Sequence, residues 1–168
     1  MQSSGFSLIE LLLALFLVAT IVVFGIPTLY GFVESTRVRT QTREFATSVS
    51  LARSLAITTA TPVIICASRD GTECNSKSWS DGWLIYADTD KNEQPSKQEL
   101  VNFHQALPSP LSLVESKKSI KITFSFDGTL TTNFTFFLCG SSDKRAGKIS
   151  ILATGRSRAS QVAGSSAC

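Results

Sequence analysis

The sequence predicts an α+β fold in which one long N-terminal helix packs on a mainly antiparallel β-sheet. Three observations predict it. The stretch from Leu11 to Val33 carries no charged residue and is rich in Leu, Val, Ile and Phe. Helical spacing of apolar residues continues beyond it to about Thr58. After Pro62 the pattern changes to short β-rich runs separated by turn residues. These runs do not alternate with helices, so the strands are expected to pair antiparallel, with one sheet face on the distal half of the helix. A chain of 168 residues suits one globular domain of ordinary size plus that helix.

The helix is expected from Phe6 to about Thr58. Its first half is apolar all round, as a membrane-spanning or filament-core helix is. At ~1.5 Å per residue, Leu11 to Val33 is long enough to cross a hydrocarbon core of ~30 Å. No small-residue cleavage site follows, so the stretch reads as a retained span and not as a discarded secretory signal. Pro27, with Gly25 and Gly31 nearby, is expected to kink or locally melt this half. The second half, residues 34–58, is amphipathic. Val38, Thr42, Phe45, Val49, Ala52 and Ala56 alternate by four and three and so share one face, while Arg37, Arg43, Ser50 and Arg53 fall outside it. Thr59 to Pro62 ends the helix.

Residues 59–168 form the β-rich domain. Strands are expected at 63–66, 83–86, 100–103, 111–114, 120–126, 134–138 and 149–152, with a hairpin turn at Asp127-Gly128. Gly155-Arg156-Ser157-Arg158 is placed at a strand end. Gln161 to Ala167 is small and polar, a loose tail but for Cys168.

Cys66, Cys74, Cys139 and Cys168 are an even set in a small β-rich domain, which points to disulfides and an oxidising compartment. Three pairings are possible. Cys66 and Cys74 flank a glycine-containing turn, which makes a short-loop Cys66–Cys74 bridge plausible, and Cys168 would then join Cys139 and tie down the tail. Each bridge stabilises by ~2–4 kcal/mol. A zinc site fits poorly, since His104 is the only histidine and no C-x-x-C occurs. Orientation signals conflict. Residues 1–5 carry no Lys or Arg, whereas Arg37, Arg39 and Arg43 follow the apolar stretch, which by charge alone would place the β-rich domain in the cytoplasm. The cysteines place it outside.

Glu10 is the one carboxylate near the start of the apolar run, and no further charge appears until Glu34. An ionised side chain in a bilayer costs ~3 kcal/mol or more, so a lone acid there calls for a positive partner. An amino terminus created by cleavage beside Gly5, on this chain or a neighbour, is such a partner. Gly5-Phe6-Ser7-Leu8-Ile9-Glu10, the short polar leader at 1–5 and Pro27 together resemble a type IV pilin or a type II secretion pseudopilin. The resemblance implies the pilin fold, cleavage after Gly5 by a prepilin peptidase, N-methylation of Phe6, and an assembly role for Glu10. It also implies a bacterial inner-membrane subunit with a periplasmic C-terminal domain that enters a filament with other pilins.

Further strings occur in order. They are Pro62-Val63-Ile64-Ile65-Cys66, Asp70-Gly71-Thr72-Glu73-Cys74, Trp79-Ser80-Asp81-Gly82-Trp83, Phe124-Ser125-Phe126-Asp127-Gly128 and Thr154-Gly155-Arg156-Ser157-Arg158. Their succession resembles the GspH/FimT group of minor pilins and pseudopilins. That group implies either a minor type IV pilin that primes assembly or a minor pseudopilin of type II protein secretion. In one branch the late Gly-Arg-x-Arg is associated with DNA binding during natural transformation.

Net charge is only +3, but from Lys144 onward Lys144, Arg145, Lys148, Arg156 and Arg158 occur with no acid. Alternate residues of a strand point the same way, so Arg156 and Arg158 are expected on one face, with Lys144, Arg145 and Lys148 on an adjoining loop. Such a surface suits DNA phosphates without sequence preference. The competing reading is a solvated edge strand, or salt bridges to a neighbouring subunit. Asp88-Thr89-Asp90-Lys91-Asn92 with Glu99 has the look of a calcium loop, but Glu93 stands where glycine is needed, which favours a solvated hairpin loop. Trp79 and Trp83 read as core or turn packing. No nucleophile–base pair and no phosphate-binding loop is present, so the sequence points to no enzymatic activity, metal, cofactor or small-molecule substrate.

Overall fold

The computed structural model describes residues 7–141, 145–163 and 168, with the side chains of 24–30, 145 and 163 outside that description. The chain divides into two compact units, with the boundary between Thr36 and Arg37. Helix α1 spans Leu8–Thr59. In the first unit its side chains from Leu8 to Val23 are almost all exposed in the single chain, with Leu8 at 76% and Ile21 at 71%. The backbone stays helical through residue 27, so the local melting expected there does not occur. Among the described residues no helix is long and apolar enough to cross a membrane.

In the second unit all six residues of the predicted stripe are buried, from Val38 at 2% and Thr42 at 3% to Phe45, Val49, Ala52 and Ala56 at 0%. Among the described residues eight strands follow α1. They are β1 Val63–Ala67, β2 Trp83–Ala87, β3 Leu100–His104, β4 Ser112–Glu115, β5 Lys121–Phe124, β6 Phe134–Cys139, β7 Arg145–Ile151 and β8 Ser157–Ala163. They form two four-stranded sheets, A in the order β3-β2-β1-β5 and B in the order β4-β6-β7-β8, and every pairing is antiparallel. The α+β class and the antiparallel pairing are as expected, but there are two sheets where one was anticipated.

The Asp127-Gly128 turn also differs. β5 pairs with β1, and β6 pairs with β4 and β7, so the turn passes the chain from one sheet to the other and joins no hairpin. Local turn chemistry is the same in both cases: Asp127 accepts from the Thr129 N–H at 3.0 Å, and the Gly128 N–H donates to the Ser125 carbonyl at 2.8 Å. Which strand comes next is decided by long-range pairing. The other correction is at the C terminus. β7 begins four residues earlier than expected, and β8 continues through residues read as a loose tail.

The main core forms where the α1 stripe meets the inward faces of both sheets. Phe45 is its centre, with ring centroids 5.7 Å from Trp79, 5.1 Å from Trp83 and 4.7 Å from Phe136. The first two are edge-on contacts, the geometry that aromatic quadrupoles favour. Trp83 also donates from Nε1 to Ser48 Oγ at 3.0 Å, which satisfies the buried indole. β7 reaches the helix at Gly147, where a Cβ would lie 1.9 Å from Thr42 Oγ1. Only glycine allows that approach.

A second small core lies on the outer face of sheet A. Ile64, Cys66, Leu84 and Tyr86 are buried there, with Cys74, Leu100 and Phe103 packed against them. Central strand β1 is therefore covered on both faces, and all five of its residues are buried. The Cys66–Cys74 disulfide, with Cα atoms 5.5 Å apart, closes this face. Cys139–Cys168, with Cα atoms 5.7 Å apart, anchors the C terminus to β6. Both bridges are the expected ones.

Truncating Phe45 removes the contact that holds helix and both sheets together. Phe45→Ala is expected to lower unfolding free energy by ~3–5 kcal/mol, read by denaturant titration of tryptophan fluorescence. A loss under ~1 kcal/mol, typical of surface positions, would contradict this assignment of the core.

Candidate functional site

Glu10 lies in the first turn of α1, where a carboxylate is favoured by the helix dipole. The Glu10 N–H donates to the Ser7 carbonyl at 3.0 Å. Its side chain is exposed and has no ion-pair partner among the described residues. Gly5 and Phe6 lie outside the described residues. So does Lys144.

The remaining basic residues of the C-terminal stretch fall on sheet B. Arg145 opens β7, and Lys148 lies within it, so neither is on an adjoining loop as expected. In register, Lys148 faces Ser160 and Ser150 faces Arg158. Ile149 and Ile151 point into the core, so Lys148 and Ser150 point outward, and their partners Ser160 and Arg158 share that face. Lys148 is half-buried and Arg158 exposed. Phe137 is opposite Lys148 from the other side, and Cys139 is two residues on, so Cys168 is tied down on this same outer face.

Arg156 precedes β8 and has a different setting. It lines a groove of about 330 Å³ with Gly155, Ser157 and the α1 residues Ser50, Arg53, Ser54 and Ile57. Ser157 Oγ is 3.4 Å from Ser50 Oγ across this boundary. Arg158, on the opposite face from Ser157, does not line the groove. Arg156 and Arg158 are two residues apart in the same strand phase, and of the two Arg156 is the one that borders the groove. A second groove, of about 140 Å³, lies further along the same seam and is lined by Arg39, Thr42 and Arg43 of α1 and Ala159, Ser160 and Gln161 of β8. In the sequence Arg39 and Arg43 stand out only as charges after the apolar stretch. Their place beside β8 follows from the inward turn of the α1 stripe.

Gly155 has a structural role of its own. Its φ is +75°, and a Cβ there would lie 1.9 Å from the Gly128 carbonyl oxygen and 2.6 Å from Arg53 Nε. Arg53 donates from Nε to that carbonyl at 3.3 Å. The Phe124–Gly128 and Thr154–Arg158 strings thus meet in space and seat one helix arginine. Trp79 and Trp83 are buried in the core, as expected. His104 stacks on Trp83 at 3.9 Å with its Nε2 3.1 Å from Glu44, which ties the end of β3 to α1.

The acidic loop is better ordered than a solvated hairpin. Asp88, Asp90 and Glu99 place carboxylate oxygens within 4.8 Å of one another, and Asp88 and Glu99 are buried. Glu99 accepts from Thr89 Oγ1 at 2.7 Å and the Thr89 N–H at 2.8 Å through one oxygen, and from Ser96 Oγ at 2.8 Å through the other. These bonds, the Thr89 and Ser96 hydroxyls foremost, hold Glu99 down at about 2. The carboxylate is a staple for the loop. Asp70 is likewise held at about 2, by bonds from the Thr72 N–H and hydroxyl.

Residues 41–155 match the family described as Type II transport protein GspH. No curated protein sequence matches the chain. Among solved structures, the type IV minor pilin FimU of Pseudomonas aeruginosa is similar in fold in two crystal forms. One has a TM-score of 0.61 at 24% identity, covering 77% of this chain and 92% of that one. The other has 0.57 at 24%, covering 73% and 91%. The minor pseudopilin EpsH from the type 2 secretion system of Vibrio cholerae has 0.53 at 14%, covering 76% and 97%.

A carboxylate whose folded pKa lies below its ordinary 4.5 stabilises the fold above that value, and the contribution is lost as pH falls towards about 2. Glu99→Gln should therefore lower the melting temperature at neutral pH and flatten its fall between about pH 4.5 and pH 2, measured by circular dichroism. Parallel melting curves for both proteins across that window would rule out the staple.

Proposed function

Because the chain belongs to the GspH family of minor pilins and pseudopilins, we propose that it is a membrane-inserted minor subunit of a type IV pilus, priming its assembly. The observation that carries this reading is the first part of α1: apolar side chains exposed all round a helix, with Glu10 alone among them. Such a surface needs lipid or other helices around it. In this reading prepilin peptidase cuts after Gly5, Phe6 becomes the N-methylated first residue, and residues 6–33 serve first as membrane span and then as filament core. The uncharged run from Leu11 to Val33 supports the span. Residues 34–168 lie in the periplasm, where Cys66–Cys74 and Cys139–Cys168 persist.

Glu10 then neutralises the amino terminus of a neighbouring pilin inside a low-dielectric core, where a charge pair is far stronger than in water. Glu10→Ala is expected to leave the subunit membrane-bound but depleted from sheared filaments, measured by immunoblot of both fractions. Wild-type recovery in the filaments would sink this role. The alternative, a minor pseudopilin of type II secretion, separates by phenotype. Deletion would abolish protein export and leave twitching intact.

A second reading is sequence-independent binding of DNA phosphates during natural transformation. Lys148 and Arg158 on one outer face favour it, with Arg145, Lys144 and Arg156 as further candidates. Lys148→Gln with Arg158→Gln should weaken duplex binding and reduce its salt slope by roughly one per lost phosphate contact. Unchanged affinity and slope at low salt would exclude this face.

A further inference from the structure

Strand β8 is one of the two edge strands of sheet B, the other being β4. The Leu152 N–H donates to the Arg156 carbonyl at 3.0 Å, so the antiparallel alternation directs the main-chain groups of Arg158, Ser160 and Val162 towards β7. Those of Ser157, Ala159 and Gln161 point away from the sheet, where no strand stands among the described residues. A seven-residue edge without proline is a ready template for another strand. The two grooves between α1 and β8 lie on the helix side of this edge, where alternate side chains of an added strand would enter.

Each groove presents two arginines, Arg39 with Arg43 and Arg53 with Arg156. None of the four has a carboxylate partner among the described residues. We propose that β8 is the docking edge for an extended acidic segment of a partner subunit. That segment adds a strand to sheet B and places one carboxylate in each groove. Ser157 and Gln161 are helix-side residues of the edge, one in each groove, and lie four residues or ~13 Å apart, so the acids opposite them occupy positions i and i+4 of the incoming strand. Arginine forks pair with carboxylates in this way. The identity of the partner as a filament subunit rests on the filament reading, but the docking edge does not.

The test uses the full chain in detergent micelles and a labelled Thr/Val peptide with Glu at two positions four apart, against the same peptide with Lys there. Fluorescence anisotropy at low salt is expected to show the Glu peptide binding at least tenfold more tightly. Arg43→Glu with Arg156→Glu should reverse that preference. Ala159→Pro should weaken binding at least tenfold, since it removes an edge N–H that β7 does not use. Hydrogen exchange at Ser157, Ala159 and Gln161 should slow when the Glu peptide binds, which keeps the test valid if the proline variant misfolds. Equal binding of both peptides, or unprotected edge amides, would overturn the proposal. So would a single-stranded oligonucleotide that binds in place of the Glu peptide and is insensitive to Ala159→Pro, which would make the seam a phosphate groove. Loss of peptide binding leaves the role of Glu10 untouched, and normal filament entry of Glu10→Ala leaves the docking edge untouched.

Discussion

Burial of one helix stripe against two sheets at once is the constraint on which the domain depends. Val38, Phe45, Val49, Ala52 and Ala56 share one buried cluster with residues of both sheets. Sheet A supplies Trp83 and Ile65 to this core, and sheet B supplies Phe136, Ile149 and Ile151. Phe45 touches both sets. Gly147 lets β7 come close enough to the helix to close the seam. Apolar burial of this kind, at roughly 25 cal/mol per Å², is the main term favouring the fold.

That packing also sorts the charges. With the stripe turned inward, Arg39, Arg43 and Arg53 are left along the boundary with β8, where they meet Arg156. Lys148 and Arg158 are left on the outer face of sheet B, near the disulfide-anchored C terminus. The basic character of the last part of the chain is therefore divided between two surfaces with different geometries: one an open sheet face, the other a pair of grooves beside an unpaired strand. A flat face with two cations suits a polyanion approached from solvent. Grooves next to free backbone amides suit an extended peptide.

Much of the fold was legible because its signals are local. The α1 stripe follows from helical periodicity, and all six of its residues are buried. Most strands were found within one or two residues because β-branched and aromatic runs stood between turn residues. The two disulfides were legible from Cys66 and Cys74 flanking a turn. What was not legible was pairing. Asp127-Gly128 reads as a hairpin turn because its bonds are those of one, yet it connects two sheets. Residues 161–163 read as the start of a loose tail because they are small and polar, yet β7 recruits them into β8. Glu99 read as a solvated loop acid, although the Thr89 and Ser96 hydroxyls that bury it were already nearby in sequence.

The sequence by itself determined the class of the fold, the helix face that would be buried, the expectation that the four cysteines form bridges and the isolation of Glu10. Each of these rests on residue type and spacing along the chain. Tertiary structure alone decided the division into two sheets, the role of Gly155 and Gly128 as a seat for Arg53, and the place of Arg156 at a groove beside α1. The last two depend on contacts between residues 75 or more apart, Arg53 with Gly128 and Ser50 with Ser157, and the first on pairings between strands that are not chain neighbours, such as β1 with β5. Periodicity tells which side of an element is apolar. It does not tell which element will cover that side, and so it cannot place the charges left outside.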